Sequence, residues 1–257
     1  MHSPKPEDAF SLTDKLAIIT GGGTGLGFAM ASCLIAAGAR VVITGRRPDV
    51  LESAVTRLGP SASAEEHDVT DLEGAAGLLE RIQQRHGVPT ILVNNAGTHV
   101  KQPIEQHTLS DFHSILATHV EGAFAMTRAT VPSMKRAGSG SIIFIASMSS
   151  LIGLPNIVGY SAAKAAYLGM VRSLASELGP TGIRVNGIAP GWIETPMLAQ
   201  ALSGDQERTN KILARTPQKR FGAPVDIGWA AVYLSSPAAS FVNGVILPVD
   251  GGASIGF

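Results

Sequence analysis

Two periods alternate along the chain. Short apolar runs rich in β-branched residues read as strands buried on both faces: KLAIIT (15–20), RVVITG (40–45), TILVNN (90–95), GSIIFIAS (140–147), IRVNGIAP (183–190) and VILPVD (245–250). A weaker strand fits 62–67. Longer amphipathic stretches between them, such as 71–86, 109–136 and 160–178, repeat apolar residues at helical spacing. Strand and helix alternating in this way predict right-handed crossovers. The expected fold is α/β: a single-domain, Rossmann-like, doubly wound parallel sheet of about seven strands with helices on both faces. Residues 1–14 are polar and contain prolines, so they read as a short mobile arm without an export signal, and 15–257 as the domain. The segment 193–222 breaks the rhythm. It is polar and follows a strand's C-terminal end, where ligands bind in such sheets, so it is a candidate lid.

Composition narrows the class. Of 257 residues 45% are hydrophobic and 16% charged, and the formal net charge is zero. A large core is expected, with no nucleic-acid partner and no membrane surface. The single cysteine, Cys33, excludes an internal disulfide and fits a reducing, cytoplasmic setting. Leu16 to Ala39 carries no charge and is long enough to span a bilayer, but five glycines crowd its first half. A strand, a glycine turn and a buried helix account for it, so no membrane span is expected. Seven histidines invite a metal, yet none shows a metal-ligand spacing, and no metal site is expected. GASIG (252–256) matches a hydrolase motif but is followed by a single residue, with no room for the helix and histidine that motif needs.

The first strand runs into TGGGTGLG, Thr20 to Gly27, and then a helix. Glycines there permit a tight turn and close approach of a ligand, and the helix N-terminus offers free N–H groups to a pyrophosphate. The spacing is neither G-x-G-x-x-G nor a P-loop, since Leu26 and Phe28 occupy the required positions. The second strand ends at Gly45, Arg46 and Arg47 with no acid before Asp49. An acid there holds the ribose 2′-OH of NAD; arginine suits the 2′-phosphate of NADP. NADP is therefore expected over NAD, with two solvated arginines as the plain alternative.

Tyr160 and Lys164 in GYSAAKAAY lie one helical turn apart, on one face. They are either a surface pair or an activated phenol. A phenol ionises near pH 10, and bringing it to about 7 takes roughly 4 kcal/mol. A positive charge about 4 Å away at an effective dielectric of about 20 supplies that much.

TGGGTGLG, NNAG (Asn94 to Gly97), Ser147 after a strand, and Tyr160-x-x-x-Lys164, in this order, resemble the short-chain dehydrogenase/reductase family. The resemblance runs from about Lys15 to Gly252 and takes in PGWIETPM (Pro190 to Met197) and VNGVILPVDGG. It implies that Tyr160 is the general acid and base, that Lys164 lowers its pKa and holds the nicotinamide ribose, and that Ser147 hydrogen-bonds the substrate oxygen. It further implies a cofactor site of Thr20, Gly21, Gly23, Thr24, Gly25, Leu26 and Gly27 under the pyrophosphate. Asp68 and Val69 would lie at the adenine, and Asn94, Ala96 and Gly97 would shape the nucleotide site. Pro190, Gly191 and Ile193 would sit beside Thr195, which holds the carboxamide. A homotetramer is implied too. Within the family the chain is similar to gluconate 5-dehydrogenases, other sugar dehydrogenases and 3-oxoacyl-carrier-protein reductases. Dienoyl-CoA reductases share the glycine turn and the arginine but lack this tyrosine.

One position departs from the family. His119 in HVEGAF stands where the family often has an asparagine that helps order a water near the lysine. A histidine near neutrality could relay protons itself, or have no role. His99, Ser149, Leu154, Asn156 and Trp192 are expected at the substrate pocket. Lys211, Arg215, Lys219 and Arg220 either attract an anionic substrate or form a solvated face. The expected partner is a small carbonyl or alcohol substrate. The competing class is a regulator that senses a dinucleotide without catalysis, and the complete Ser147, Tyr160 and Lys164 set argues against it.

Overall fold

The computed structural model describes residues 5–195, 198–199 and 202–256. Seven parallel strands form one sheet in the order β3-β2-β1-β4-β5-β6-β7. They are β1 Leu16–Thr20, β2 Arg40–Gly45, β3 Ala62–Glu66, β4 Ile91–Asn94, β5 Gly140–Ile145, β6 Ile183–Pro190 and β7 Ile246–Val249. β1, β4 and β5 are buried along their whole lengths, which is why their sequences show no alternation.

The helices are α1 Pro6–Ala9, α2 Gly25–Ala36, α3 Pro48–Leu58, α4 Gly74–His86, α5 Leu109–Leu116, α6 Gly122–Ala137, α7 Val158–Leu178, α8 Gln206–Arg215 and α9 Pro224–Ser235. One core packs α2, α3 and α9 on one face of the sheet through Met30, Leu34, Leu51 and Ile227. The other packs α4, α6 and α7 through Leu78, Met126, Tyr167 and Val171. Gly228 brings α9 hard against α2: a Cβ there would lie 2.4 Å from the Cys33 sulfur. Strand order reverses between β1 and β4. Ligands of open α/β sheets bind in the crevice at such a point, beyond the strand ends.

Three local features differ from the sequence reading. The segment 109–136 is two α-helices joined by a π-helical turn, Ala117–Glu121. The apolar spacing continues through that turn, so periodicity alone cannot reveal it. The last part of the expected arm packs onto the domain: Leu12 is fully buried, and its N–H donates to the Ala37 carbonyl at 2.7 Å. Residues 1–4 of that arm lie outside the described residues. The segment 193–222 leaves and returns at one point. Ile193 bridges Gly222, and the Glu194 N–H donates to the Gly222 carbonyl at 2.8 Å. Between these ends α8 is capped by the Asp205 carboxylate and buries Ile212. Positions 196, 197, 200 and 201, including Pro196 and Met197 of PGWIETPM, lie outside the described residues.

Candidate active site

The glycine turn begins where β1 stops. The Thr20 hydroxyl accepts from the Asn95 and Ala96 N–H groups, each at 3.0 Å, and the Asn95 amide donates to the Thr20 and Gly21 carbonyls at 2.9 and 3.1 Å. The ends of β1 and β4 are thereby knitted together. Gly21 has φ +64°, and a Cβ on Gly27 would lie 2.3 Å from the Gly21 carbonyl oxygen. Only glycines close this turn. Thr24 precedes α2 without a side-chain cap, and the first turn has no acidic residue. A Cβ on Gly25 would meet nothing within 4 Å, so the helix start is open. Free N–H groups at an open, uncapped helix start fit a pyrophosphate. Leu26 packs against the core below.

At the tip of β2, Arg46 and Arg47 are exposed. Arg46 pairs with Asp68 at 3.6 Å. The other Asp68 oxygen accepts from the Thr70 N–H and hydroxyl at 3.0 and 2.8 Å; despite partial burial, these bonds hold its pKa below the usual range. Val69 is buried against Gly122. Asn94 is buried and donates to the Thr127 hydroxyl at 3.1 Å. Pro190 ends β6, Gly191 lies so close to Asp250 that a Cβ would come within 2.6 Å of it, and Ile193 is buried. The Thr195 hydroxyl accepts from the Leu198 N–H at 3.2 Å.

The reactive cluster sits beyond β5. Ser147 caps a 3₁₀ turn by accepting from the Ser149 N–H at 3.1 Å, and its hydroxyl also meets the Tyr160 phenol. Tyr160 and Lys164 share one face of α7. Lys164 is 3% exposed, its amine donates to the Ile145 carbonyl, and its nitrogen lies 5.6 Å from the Tyr160 ring centre. Burial raises the Tyr160 pKa, and the Ser147 bond opposes the rise. Burial lowers Lys164 to about 7. Each group alone is driven towards its neutral form.

His119 lies on the π turn, 1% exposed, with its ring edge-on to Tyr160 at 5.5 Å. Its Nε2 is 2.7 Å from the Thr98 carbonyl and 3.2 Å from the Thr98 amide nitrogen. One imidazole nitrogen cannot donate and accept in the same tautomer, and the shorter contact assigns the proton to Nε2. The buried Nδ1 has no partner among the described residues. Burial, with the Lys164 charge second, lowers the His119 pKa to about 3. This corrects the expectation of a histidine titrating near neutrality: at ordinary pH the ring is neutral.

The residues expected at the substrate pocket differ in burial and in partners. His99 is exposed and stands 6.2 Å from the Tyr160 ring. Ser149 is buried and Trp192 half-buried, the hydroxyl of one and the indole N–H of the other finding no partner among the described residues, and Leu154 is half-buried. Asn156 holds a left-handed backbone, φ +66°, and its carbonyl accepts from the Gln102 N–H at 2.9 Å. The lid cations are engaged elsewhere. Lys211 pairs with Glu207 and Arg220 with Asp226, while Arg215 and Lys219 donate to the Ala253 and Ala214 carbonyls. Among the described residues no group of three or more His, Cys, Asp or Glu could hold a metal ion, and no helix is long and apolar enough to cross a membrane.

Two residues escaped the sequence reading. Asn95 was hidden by its neighbour Asn94, although strand alternation sends the two to opposite sides. Tyr167, buried, donates its hydroxyl to the His119 carbonyl at 2.8 Å, and its spacing of three from Lys164 was visible in GYSAAKAAY.

A glycine turn with an open helix start at the switch point, and Ser147, half-buried Tyr160 and buried Lys164 beyond β5, define a nicotinamide-dependent oxidoreductase. The comparisons agree. A family model described as enoyl-(acyl carrier protein) reductase matches residues 21–254. The chain belongs to the short-chain dehydrogenase/reductase family, NAD(P)-dependent oxidoreductases acting on CH–OH and C=O groups. It is 36% identical over 251 residues to gluconate 5-dehydrogenase of Gluconobacter oxydans, covering 96% of this chain and 98% of that one. To the NADP-dependent (R)-specific alcohol dehydrogenase of Lentilactobacillus kefiri it is 37% identical over 246 residues, covering 94% and 97%. The crystal structure of a gluconate 5-dehydrogenase from Burkholderia cenocepacia, in complex with NADP and tartrate, superposes with a TM-score of 0.94 at 33% identity, covering 98% and 100%.

Proposed function

We propose that this chain interconverts a ketone and a secondary alcohol of a polyhydroxy acid with NADP(H), using Tyr160 as acid and base. The observation that carries the reading is the juxtaposition of Ser147, half-buried Tyr160 and buried Lys164 beyond β5. The bound nicotinamide supplies the hydride acceptor or donor. The turn from Thr20 to Gly27 holds its pyrophosphate, Arg46 and Arg47 the 2′-phosphate, and Asp68 and Val69 the adenine. Asn94, Ala96 and Gly97 shape the floor, Lys164 holds the ribose, and Pro190, Gly191, Ile193 and Thr195 the carboxamide side.

In reduction Tyr160 gives its hydroxyl proton to the substrate oxygen, while Ser147 donates a hydrogen bond to the same atom. In oxidation the phenolate takes the proton back. The Lys164 ammonium stabilises that phenolate, and the phenolate in turn holds Lys164 protonated against burial. His119 positions the site. A neutral ring whose one N–H ends on the Thr98 carbonyl offers a proton no exit, so it braces Gly97 and Tyr160 and carries nothing onward.

The substrate class rests on polar atoms with nothing to meet. The Ser149 hydroxyl and the Trp192 indole N–H are buried without partners among the described residues. A substrate rich in hydroxyls could pair with them once the site opens to it, as an apolar ketone could not. Gluconate 5-dehydrogenases of two organisms are among the similar proteins, which points the same way. The segment 193–222 closes over the substrate, and residues 15–257 act as one domain. Leu109 on α5, Phe124 on α6, Trp229 on α9 and Ile255 near the C-terminal end are large apolar side chains left exposed. Exposed apolar side chains of this kind suit contacts with further copies of the chain, in keeping with a homotetramer. One buried cysteine suits the cytoplasm.

The test follows nicotinamide absorbance with NADPH and NADH in parallel against keto-sugar acids, simple ketones and 3-oxoacyl thioesters. The expected result is NADPH turnover on a keto-sugar acid, abolished in Tyr160→Phe. Cofactor binding without turnover on any of them would favour the regulator.

A further inference from the structure

We propose that Tyr167 is a positioning residue of the acid–base site, holding the Lys164 ammonium against its ring face and fixing the π turn that carries His119. The inference rests on Tyr160 being the acid–base group. Three residues of α7, at spacings of four and three, bring Tyr160, Lys164 and Tyr167 onto one face. The Lys164 nitrogen sits 5.6 Å from the Tyr160 ring centre and 5.0 Å from that of Tyr167. A ring face carries partial negative charge and attracts a cation, most strongly where water is excluded. Tyr167 is 1% exposed, and Phe144 of β5 backs its ring at 5.1 Å, so the ring has no room to withdraw.

The hydroxyl end does separate work. It donates to the His119 carbonyl at 2.8 Å, inside the π-helical turn. That turn aims the His119 ring at Tyr160 and at the Thr98 backbone. The contacts form a closed circuit: Tyr160 to Lys164 along the helix, Lys164 to the Tyr167 ring, Tyr167 to the His119 backbone, and the His119 ring back to Tyr160. The titratable groups surrounding Lys164 are Tyr160 and Tyr167 on its own helix, His119 on the π turn and His99 on the loop after β4. No carboxylate is among the groups that shift Tyr160, Lys164 or Tyr167. The Tyr167 ring is thus the partially negative surface supporting the ammonium while Tyr160 is protonated. Its own burial raises the Tyr167 pKa far above working pH, so it acts as a neutral phenol.

The chain has only three tyrosines, so ionisation of Tyr160 can be read from the ultraviolet tyrosinate band. Each protein is measured against the same background carrying Tyr160→Phe. Tyr167→Leu removes ring and hydroxyl; Tyr167→Phe keeps the ring. Loss of the ring weakens the charged form of Lys164, so the Tyr160 phenolate appears at higher pH. The expected shift in Tyr167→Leu is upward by about 0.5–1.5 pH units. In Tyr167→Phe the titration stays at its native position while kcat falls with KM little changed. Equal titrations in the two variants, shifted or not, would overturn the proposal. NADPH binding checks that each variant is folded, and Tyr167→Met replaces Tyr167→Leu if the latter is not. The titration needs no turnover, so a native protein inactive on every substrate would sink the proposed function and leave this question answerable.

Discussion

Replacing Lys164 with methionine keeps most of the side chain's volume and removes its charge. The nitrogen lies 5.6 Å from the Tyr160 ring centre, and Lys164 is shielded from solvent. At that separation, with an effective dielectric of about 20, the attraction between ammonium and phenolate is about 3 kcal/mol, or about two pH units. Oxidation of the alcohol needs the phenolate, so kcat/KM falls as pH drops through the apparent pKa. Lys164→Met should move this acid limb upward by about two units, and at pH near 7 the rate should fall about a hundredfold. Initial rates of NADP reduction across the pH range, at saturating cofactor, make the measurement. An acid limb superimposed on that of the native enzyme would refute the electrostatic account, whatever the change in kcat. The cofactor-free protein gives a second readout. Lys164 ionises at about 7 when folded against an ordinary 10.5, so the unfolded chain binds the extra proton between those values. Stability from this group should therefore rise with pH across that window, at up to about 1.4 kcal/mol per unit, and Lys164→Met should remove the slope in denaturant titrations.

Two further outcomes follow from the cradle. Replacing Arg46 and Arg47 with serine should raise KM for NADPH tenfold or more while leaving NADH almost unchanged, because only the 2′-phosphate uses charge-assisted bonds there; equal effects on the two cofactors would count against the assignment. Gly97→Ala would place a Cβ 2.5 Å from His119 Cε1. Urea titrations should show a loss of about 1–3 kcal/mol, largely recovered when His119→Ala is added. A double variant no more stable than the single one would mean that the strain lies elsewhere.

The sheet was readable because parallel strands buried on both faces leave uninterrupted runs such as LAIIT and ILVN, and glycine turns mark where they end. The tyrosine and lysine were readable because helical spacing places them together. What escaped depends on contacts between distant segments. The π turn is a hydrogen-bond slip inside a continuous apolar pattern, so the residues 117–121 carry no sign of it. The depressed pKa of His119 arises from its burial against Gly97 and Thr98, some twenty positions back. Leu12 looked like part of a polar arm because its partner, the Ala37 carbonyl, comes from the far end of α2. The lid cations looked available because the carbonyls of Ala214 and Ala253 that hold two of them have no signature in sequence.

The pair at the centre shows why the site titrates as a unit. Burial pushes the Tyr160 phenol up and the Lys164 amine down, so each alone is driven towards its neutral form. A proton passing from phenol to amine creates two charges that stabilise each other at no change in net charge. The neutral and zwitterionic states therefore hold the same number of protons, and pH does not choose between them; their surroundings do. The Ser147 hydroxyl bonds the phenol oxygen, the Ile145 carbonyl accepts from the amine, and the Tyr167 ring faces it, and each of these favours the zwitterion. His119, neutral at working pH, adds no opposing charge. A histidine that titrated near neutrality would place a second cation edge-on to the same phenol and compete with Lys164 for it. Its deep burial at the π turn is thus what allows an imidazole to stand at this position without disturbing the acid–base pair.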